Sequence, residues 1–276
     1  MPLLLLLLWL SSSTAVPRNV ILVKGAVPSA SDATTPVPED GRIGGGRYRN
    51  AYFGLNYPIP AGWTEQPAGP PPSDAGGYIL TQFALMDGER VKAHVLVTAQ
   101  DLFFIPFAAS NAKDVMAATR SYVPARYDIE QGRDQTTIAG RTFYRLAYSA
   151  PVTGLHWRIL ATDTRCHALT FTFTGTDPAL LDEAEKALSQ LTLADDAPAC
   201  VDDYAPIEKT TPAFAQRYNR IPVRVLIDTE GKVKHAHVLS AFPEQSEAIL
   251  RALREWRFKP YMVNGRAVEV ETGLQF

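Results

Sequence analysis

His235 and His237 are the residues whose types and spacing come closest to a chemical site. Positions i and i+2 of a β-strand lie on one face, so the two imidazoles could supply half of a metal site. No third ligand stands at a suggestive spacing, and we therefore expect solvent-facing histidines and no metal. Cys166-His167 could act as a thiolate and its base, but sequence neighbours on a strand point to opposite faces. We expect no nucleophilic site there.

The remaining histidines and glycines carry no catalytic pattern. His94 and His156 stand alone within apolar strand-like stretches, where a hydrogen-bonded histidine at a sheet surface is the more common role. The sequence has no Gly-x-Ser-x-Gly, no His-Glu-x-x-His and no Gly-x-x-x-x-Gly-Lys-Ser/Thr. We therefore expect a protein without enzymatic activity and without a cofactor.

Cys166 and Cys200 are the two cysteines of the chain. If the protein is exported, both enter an oxidising compartment, where a disulfide between them is the expected state. The alternative is two independent thiols, one of them buried in a strand.

The elements that would position these residues stand out most after Arg220. Val223, Val225 and Ile227 alternate with Arg224, Leu226 and Asp228, as in a strand with one buried face, and Gly231 lies in the following turn. A return strand carries the two histidines, and an apolar periodicity then predicts a helix that ends near Trp256. Beyond an Asn264-Gly265 turn, a last strand is indicated by five alternating residues: Val268, Val270, Thr272, Leu274 and Phe276. The order strand, strand, helix, strand predicts a small two-layer domain.

Four segments at their joint spacing carry a family resemblance. They are Val223-Arg-Val-Leu-Ile-Asp228, Glu230-Gly-Lys-Val233, Ala252-Leu-Arg-Glu-Trp-Arg-Phe-Lys-Pro260 and Asn264-Gly-Arg-Ala-Val268. Together they resemble the TonB C-terminal domain, over about residues 205–276. Within that pattern Trp256, Phe258, Pro260, Gly231 and Gly265 are the expected structural anchors.

The resemblance also implies a mode of action. TonB C-terminal domains present a sheet edge in the periplasm to an extended segment of an outer-membrane receptor, by β-strand addition. If this transfers, the edge is the last strand, with Val268, Val270, Thr272, Leu274 and Phe276 as its residues. The alternative is that this strand only closes the small sheet.

A larger domain is expected between residues 51 and 194. Strand-like stretches dominate it, Asn111 to Val123 has helical composition, and Asp177-Pro178 caps an amphipathic helix. Its opening, Phe53-Gly-Leu-Asn-Tyr-Pro-Ile-Pro-Ala-Gly-Trp63, is similar to PsbP-like domains, in which helices flank a sheet. That resemblance covers about residues 52–193. The expected fold class is therefore α+β with two domains, joined by a linker at residues 195–204.

The N-terminus reads as an export signal followed by a leader. Leu3 to Leu10 is an unbroken apolar run, and Ser13-Thr14-Ala15 offers small residues for signal peptidase, so residues 1–15 form the expected signal peptide. The run is short for a membrane span, which needs about 20 apolar residues. Residues 16–50 are rich in Pro, Ser, Thr and Gly in their middle part and are expected to be a disordered leader.

These observations favour a non-enzymatic periplasmic protein whose partner is another protein of the cell envelope. A net charge of -2 argues against nucleic acid as a general partner. Two alternatives remain: an energy transducer anchored in the inner membrane by an uncleaved N-terminus, and an envelope hydrolase with its site in the first domain.

Overall fold

A computed structural model describes residues 29–32, 35–67, 69–132, 134–195, 197–214 and 220–276. The expected signal peptide and the first part of the leader lie outside these ranges. The architecture is α+β, as the sequence predicts. Among the described residues, no helix is long and apolar enough to cross a membrane.

The first part of the chain builds one large sheet and a smaller three-stranded one. Its elements in chain order are β1 (Ala30–Ser31), β2 (Arg42–Gly44), β3 (Arg47–Asn50), β4 (Leu55–Pro58), β5 (Trp63–Glu65), β6 (Gly77–Asp87), β7 (Arg90–Asp101), α1 (Ala112–Ser121), β8 (Asp128–Ile129), β9 (Gln135–Ile138), β10 (Arg141–Ala150), β11 (Leu155–Thr164), β12 (His167–Gly175), α2 (Pro178–Lys186) and a 3-10 helix (Ala187–Gln190). The large sheet has the order β5-β6-β7-β12-β11-β10-β8, and β9 also pairs with β10.

Helices cover both faces of the large sheet because its strands alternate apolar residues to either side. On β11, Leu160 joins the core under α2, whereas Ile159 and Ala161 join the core under α1. Both helices begin as the sequence predicts. The Asn111 side chain accepts a bond from Asp114 N, and the Asp177 side chain accepts one from Ala179 N, each at 2.9 Å.

The second part of the chain forms a small sheet and one helix. Its elements are β13 (Ala199–Cys200), β14 (Pro222–Ile227), β15 (Val233–Val238), α3 (Pro243–Leu253), β16 (Tyr261–Val263), β17 (Arg266–Val268) and β18 (Val270–Gln275). The sheet has the order β1-β15-β14-β18-β13, and β16 pairs with β17 as a separate hairpin. The predicted order strand, strand, helix, strand is present, with the β16–β17 hairpin added before the last strand.

The core under α3 contains two of the expected anchors. Trp256 is 7% exposed, its ring centroid is 5.5 Å from that of Phe276, and its Nε1 donates to Thr210 O at 2.8 Å. Phe258 is 1% exposed and stacks on Tyr204. Pro260, in contrast, is exposed and only precedes β16.

The two anchor glycines have different physical roles. Gly231 has φ of +82°, and a Cβ there would lie 2.0 Å from Phe258 O, so backbone passes where a side chain would stand. Gly265 also has positive φ, at +78°, but no atom lies within 4 Å of its Cβ position. Only Gly231 is therefore required by packing as well as by backbone conformation.

Strands occur in two stretches for which the sequence predicts none. The described part of the 16–50 leader contains β1, β2 and β3, because Tyr48 is buried in the first core and Asn50 Nδ2 holds Pro38 O at 2.6 Å. The expected linker at 195–204 contains β13, which pairs in parallel with β18. Composition predicts flexible segments in both places. The structure differs because neighbouring strands supply hydrogen-bond partners for the backbone of β1 and β13.

Candidate functional site

The last strand of the chain is an open edge over only part of its length. β13 pairs with its beginning, with Ala199 opposite Val270 and Cys200 opposite Glu271. Ala199 N donates to Glu269 O at 2.9 Å, and Val201 N donates to Glu271 O at 3.1 Å. The alternation of a strand then turns the backbone groups of the next two odd-numbered residues, 273 and 275, to the same side. The chain that follows β13 does not pair with them, so the edge is open there among the described residues.

The five residues predicted for this edge do not share one role. Val268 belongs to β17, so it is not part of the last strand. Val270 and Thr272 are buried, and Leu274 and Phe276 pack against the core under α3. Their side chains therefore face the core, and any partner that adds at this edge would meet the backbone first.

Gly273 lies where the first part of the chain packs most closely on β18. A Cβ at this position would lie 2.5 Å from the Cβ of Phe103 and 3.0 Å from the ring of Phe104. The glycine thus permits the turn after β7 to approach the sheet, and the open backbone groups begin directly beside this contact.

The opposite edge of the small sheet is occupied by β1. Ala30 pairs with Val238 and Ser31 with His237. Asp32 N donates to Ala236 O at 3.2 Å, and Ala236 N donates to the Asp32 carboxylate at 3.1 Å. The side chain of Asp32 thus takes the place of a backbone acceptor and ends the ladder after two residue pairs.

The two histidines of β15 face residues of the leader. Thr35 Oγ1 lies 2.8 Å from His235 Nδ1, and His237 Nε2 lies 3.0 Å from Glu39 Oε1. Their predicted solvent-facing position is therefore wrong for His237, which is 6% exposed. Burial raises the pKa of Glu39, but hydrogen bonds from His237 and Ser29 outweigh it, so the net shift is downward.

No metal ligand set arises around these histidines. Among the residues that the structure describes, no group of three or more His, Cys, Asp or Glu side chains is placed to hold an ion. His235 bonds to a threonine hydroxyl, and His237 bonds to a single carboxylate. Both contacts hold the leader by hydrogen bonds.

The face of the small sheet opposite to the α3 core packs against the first part of the chain, and charged residues form the contact. Arg224, on β14, is 4% exposed. It contacts Asp101 at 2.8 Å and Glu271 at 3.0 Å, and its Nε donates to the Tyr52 hydroxyl at 2.7 Å. We call this group, with Arg165 and His167, the Arg224 cluster. It joins β7, the β11–β12 turn, β14 and β18.

Arg165 balances the second carboxylate of the cluster. It forms an ion pair with Glu271, donates to Tyr52 O at 2.8 Å, and places its guanidinium 4.0 Å from the centroid of the Tyr52 ring. Arg165 and Cys166 both have positive φ, at 45° and 60°, in the tight turn between β11 and β12. The turn thereby directs Arg165 toward the small sheet.

Burial sets the ionisation of the cluster. It raises the pKa of Asp101 to about 6 despite the neighbouring Arg224, whose own pKa is raised by the Asp101 and Glu271 carboxylates against the effect of burial. Burial also holds the pKa of His167 well below its usual value, with the positive charge of Arg224 acting in the same direction. At neutral pH the ionised Asp101 therefore faces the Arg224 guanidinium, beside a neutral His167 imidazole.

A disulfide joins the same two regions. Cys166 and Cys200 are bonded, with their Cα atoms 5.6 Å apart and a separation of 34 positions in sequence. It links the β11–β12 turn to β13, and therefore fixes the large sheet to the edge strand that covers the beginning of β18.

Sequence reasoning missed the Arg224 cluster entirely. The strand alternation correctly predicts that Arg224 lies on the face away from the α3 core. It also predicts that this face is exposed to solvent, whereas Arg224 is buried. One signal was available: Arg224, His237 and Glu271 put polar or charged residues on one face of all three central strands, which is compatible with a polar interface as well as with solvent.

Residues 216–276 match the family model of the Gram-negative bacterial TonB protein C-terminal. This confirms the resemblance of the last quarter of the chain. Such domains typically bind proteins in the cell envelope. Comparison with curated proteins gives no match.

Two solved structures are similar to the chain at low identity. The solution structure of cyanobacterial PsbP (CyanoP) from Synechocystis sp. PCC 6803 has 16% identity and a TM-score of 0.39, covering 56% of this chain and 98% of that one. The crystal structure of LpqN, involved in cell envelope biogenesis of Mycobacterium tuberculosis, has 13% identity and a TM-score of 0.35, covering 60% and 91%.

Proposed function

We propose that this protein is a non-enzymatic periplasmic protein that binds an extended segment of another envelope protein at the open part of the β18 edge. The observation that carries the proposal is the end of β13 at Cys200, beyond which the outward backbone groups of Gly273 and Gln275 are open. A segment that continues the position of β13 would pair with them by β-strand addition. The match to the TonB C-terminal family supports the same mode of binding.

The absence of catalysis in this proposal is supported by how the titratable groups are used. Arg224, Arg165, Asp101 and Glu271 pair with one another in a buried cluster, which favours a structural role for them. Export is supported by the disulfide between Cys166 and Cys200, since such bonds persist in oxidising compartments.

A proline at position 275 tests the edge directly. Gln275 N–H points away from β14, so Gln275→Pro removes an edge donor without removing a bond to β14. Gln275→Ala is the matched control, because it shortens the same side chain but keeps the N–H. A photo-crosslinking amino acid at Asp202, exposed just after β13, reports binding in cells of the native host.

The expected result is an adduct with one envelope protein that forms in the native background and with Gln275→Ala but is lost with Gln275→Pro. Purified Gln275→Pro protein should still unfold cooperatively, at a temperature close to that of Gln275→Ala, since an edge strand tolerates proline where the missing N–H faces outward. An adduct that survives the proline, or the absence of any adduct, would refute binding at this edge.

Export is tested separately by the intact mass of the native protein. A mass that begins at Val16, found in the periplasmic fraction, is the expected result. A full-length mass in the inner membrane would contradict cleavage and favour the anchored transducer.

A further inference from the structure

The β15 edge is occupied by a short segment of the leader, here called the strap and defined as residues 29–32 and 35–39. The strap forms two residue pairs with β15, through Ala30 and Ser31. Its C-terminal end is fixed, because Pro38 is buried and its carbonyl accepts a bond from Asn50 Nδ2. Within the described part of the chain, the strap therefore has one anchored end, and its other end is held by a two-pair ladder and by contacts with α3.

The packing between the strap and the sheet is incomplete. A cavity of about 40 Å³ lies there, lined by residues that include Thr35, Val37 and His235. That volume exceeds what one water molecule needs. Segments with few apolar contacts and short ladders open at a lower free-energy cost than the strands beneath them. The strap is thus the part of this sheet that can most readily leave.

The contacts of the strap define the chemistry that the β15 edge accepts. The edge presents His235 and His237, together with the N–H donor of Ala236, whereas the Lys234 ammonium is paired with Glu269. The strap supplies carboxylates and a hydroxyl as hydrogen-bond partners. The Asp32 carboxylate accepts from Ala236 N, the Thr35 hydroxyl bonds to the His235 ring, and the Glu39 carboxylate bonds to the His237 ring. A matching segment is therefore extended, acidic and hydroxyl-bearing.

We propose that the β15 edge is a second binding surface, which takes an extended acidic segment of another protein, and that the strap is a built-in occupant that this segment displaces. The strap has the advantage of high effective concentration, because it is part of the same chain. It uses only the Ala236–Val238 end of β15, whereas a longer segment can also pair along Val233 to His235 and form more ladder bonds. This inference concerns the edge opposite to β18 and does not depend on the proposed function.

The first test loosens the strap in the full chain. Asp32→Ala removes the acceptor of Ala236 N, while the matched control Asp40→Ala removes a carboxylate that accepts a bond from Val37 N within the leader. Hydrogen exchange of the Ala236 amide should accelerate at least tenfold with Asp32→Ala and stay unchanged with Asp40→Ala. Protection of β14 should stay unchanged in both, which shows that the sheet remains folded.

The second test supplies the segment in trans. The probe is a labelled peptide with the sequence of residues 29–41, compared with the same peptide carrying Asn for Asp32 and Gln for Glu39. The acidic peptide should bind the Asp32→Ala chain at least tenfold more tightly than the native chain or the Asp40→Ala chain. The neutral peptide should bind more weakly, and amide shifts should map to 233–238.

The inference is overturned by equal exchange of Ala236 in the two variants, by equal affinity of the peptide for native and loosened chains, or by equal affinity of the acidic and neutral peptides. Binding that is lost with Gln275→Pro would assign the peptide to the β18 edge and would also refute it. Retention of peptide binding in Gln275→Pro is the expected result.

Discussion

Replacing Arg224 with Ala should be among the most destabilising single changes in this protein. The substitution removes a guanidinium that contacts two carboxylates of 0% and 2% exposure, Asp101 and Glu271. Arg165 still pairs with Glu271, but Asp101 keeps only a bond from Phe103 N and the neutral His167 ring, whose Nε2 lies 3.7 Å away. Breaking a buried ion pair in this way costs about 3–5 kcal/mol, because one charge is left without a partner.

Urea denaturation of the purified protein measures this cost, and the chain offers a matched control. Arg251 pairs with Glu247 four residues away on α3, and both side chains are more than 70% exposed. Arg251→Ala should therefore cost no more than about 0.5 kcal/mol. A difference of several kcal/mol between two Arg-to-Ala changes would assign the effect to burial and pairing, not to the residue type.

A double variant separates the unpaired charge from the lost packing. Arg224→Met with Asp101→Asn removes one cation and one anion together, and leaves Arg165 paired with Glu271. It should be more stable than Arg224→Met alone, since replacing both members of a buried pair is far less costly than removing one. The reasoning fails if Arg224→Ala costs no more than Arg251→Ala. It also fails if Asp101→Asn brings no recovery in the Arg224→Met background.

Three further predictions follow from single contacts. Gly231→Ala should lower the free energy of unfolding by more than about 3 kcal/mol, and Gly265→Ala should lower it by about 1 kcal/mol. Both glycines have positive φ, but only at Gly231 does a carbonyl oxygen lie where the Cβ would stand. Urea titration compares the two variants, and equal costs would contradict the packing argument. Replacing both Cys166 and Cys200 with Ser should lower the free energy of unfolding by about 2–4 kcal/mol, because the disulfide limits the entropy of the unfolded chain. The shift of the urea midpoint measures this loss. An unchanged midpoint would show that the bond does not constrain the unfolded chain. Burial raises the pKa of Asp101 to about 6 from 3.8, so the folded state binds this proton at a higher pH than the unfolded state does. The free energy of unfolding should therefore increase by up to about 3 kcal/mol as the pH is lowered from 7 to 4. Asp101→Asn should lose this increase, and identical pH profiles of the two proteins would refute the pKa shift.

The sequence predicted those elements that depend on local pattern. Strand alternation located β14 and β18, the helical period located α3, and Asp177-Pro178 marked the start of α2. These features are set within a few residues of chain by hydrogen-bond geometry and side-chain direction. The TonB resemblance in the last quarter is a pattern of the same kind, spread over a longer stretch.

The contacts between distant parts of the chain were not predicted, and the reason is physical. Alternation shows that Arg224 and His237 lie away from the α3 core, but it does not show what covers them. Composition favoured disorder for the leader and the linker, yet β1 and β13 form because an exposed strand edge offers hydrogen-bond partners to any extended segment nearby. The sequence of β1 or of β13 alone does not specify which strand edge will lie beside it.

The closure of the small sheet argues that its edges, and not its faces, are where binding occurs. One face is covered by the α3 core and the other by the Arg224 cluster, so exposing either face would cost several kcal/mol of apolar burial or of buried ion pairing. Each edge is covered by only two residue pairs, from β1 on β15 and from β13 on β18. β13 is also held by the disulfide at Cys200, whereas β1 has no covalent tie to the sheet. A partner at β18 should therefore add beyond β13 and leave it in place, while a partner at β15 has to displace β1. Partner binding at the two edges should consequently differ in kinetics, with strap opening limiting the rate only at β15.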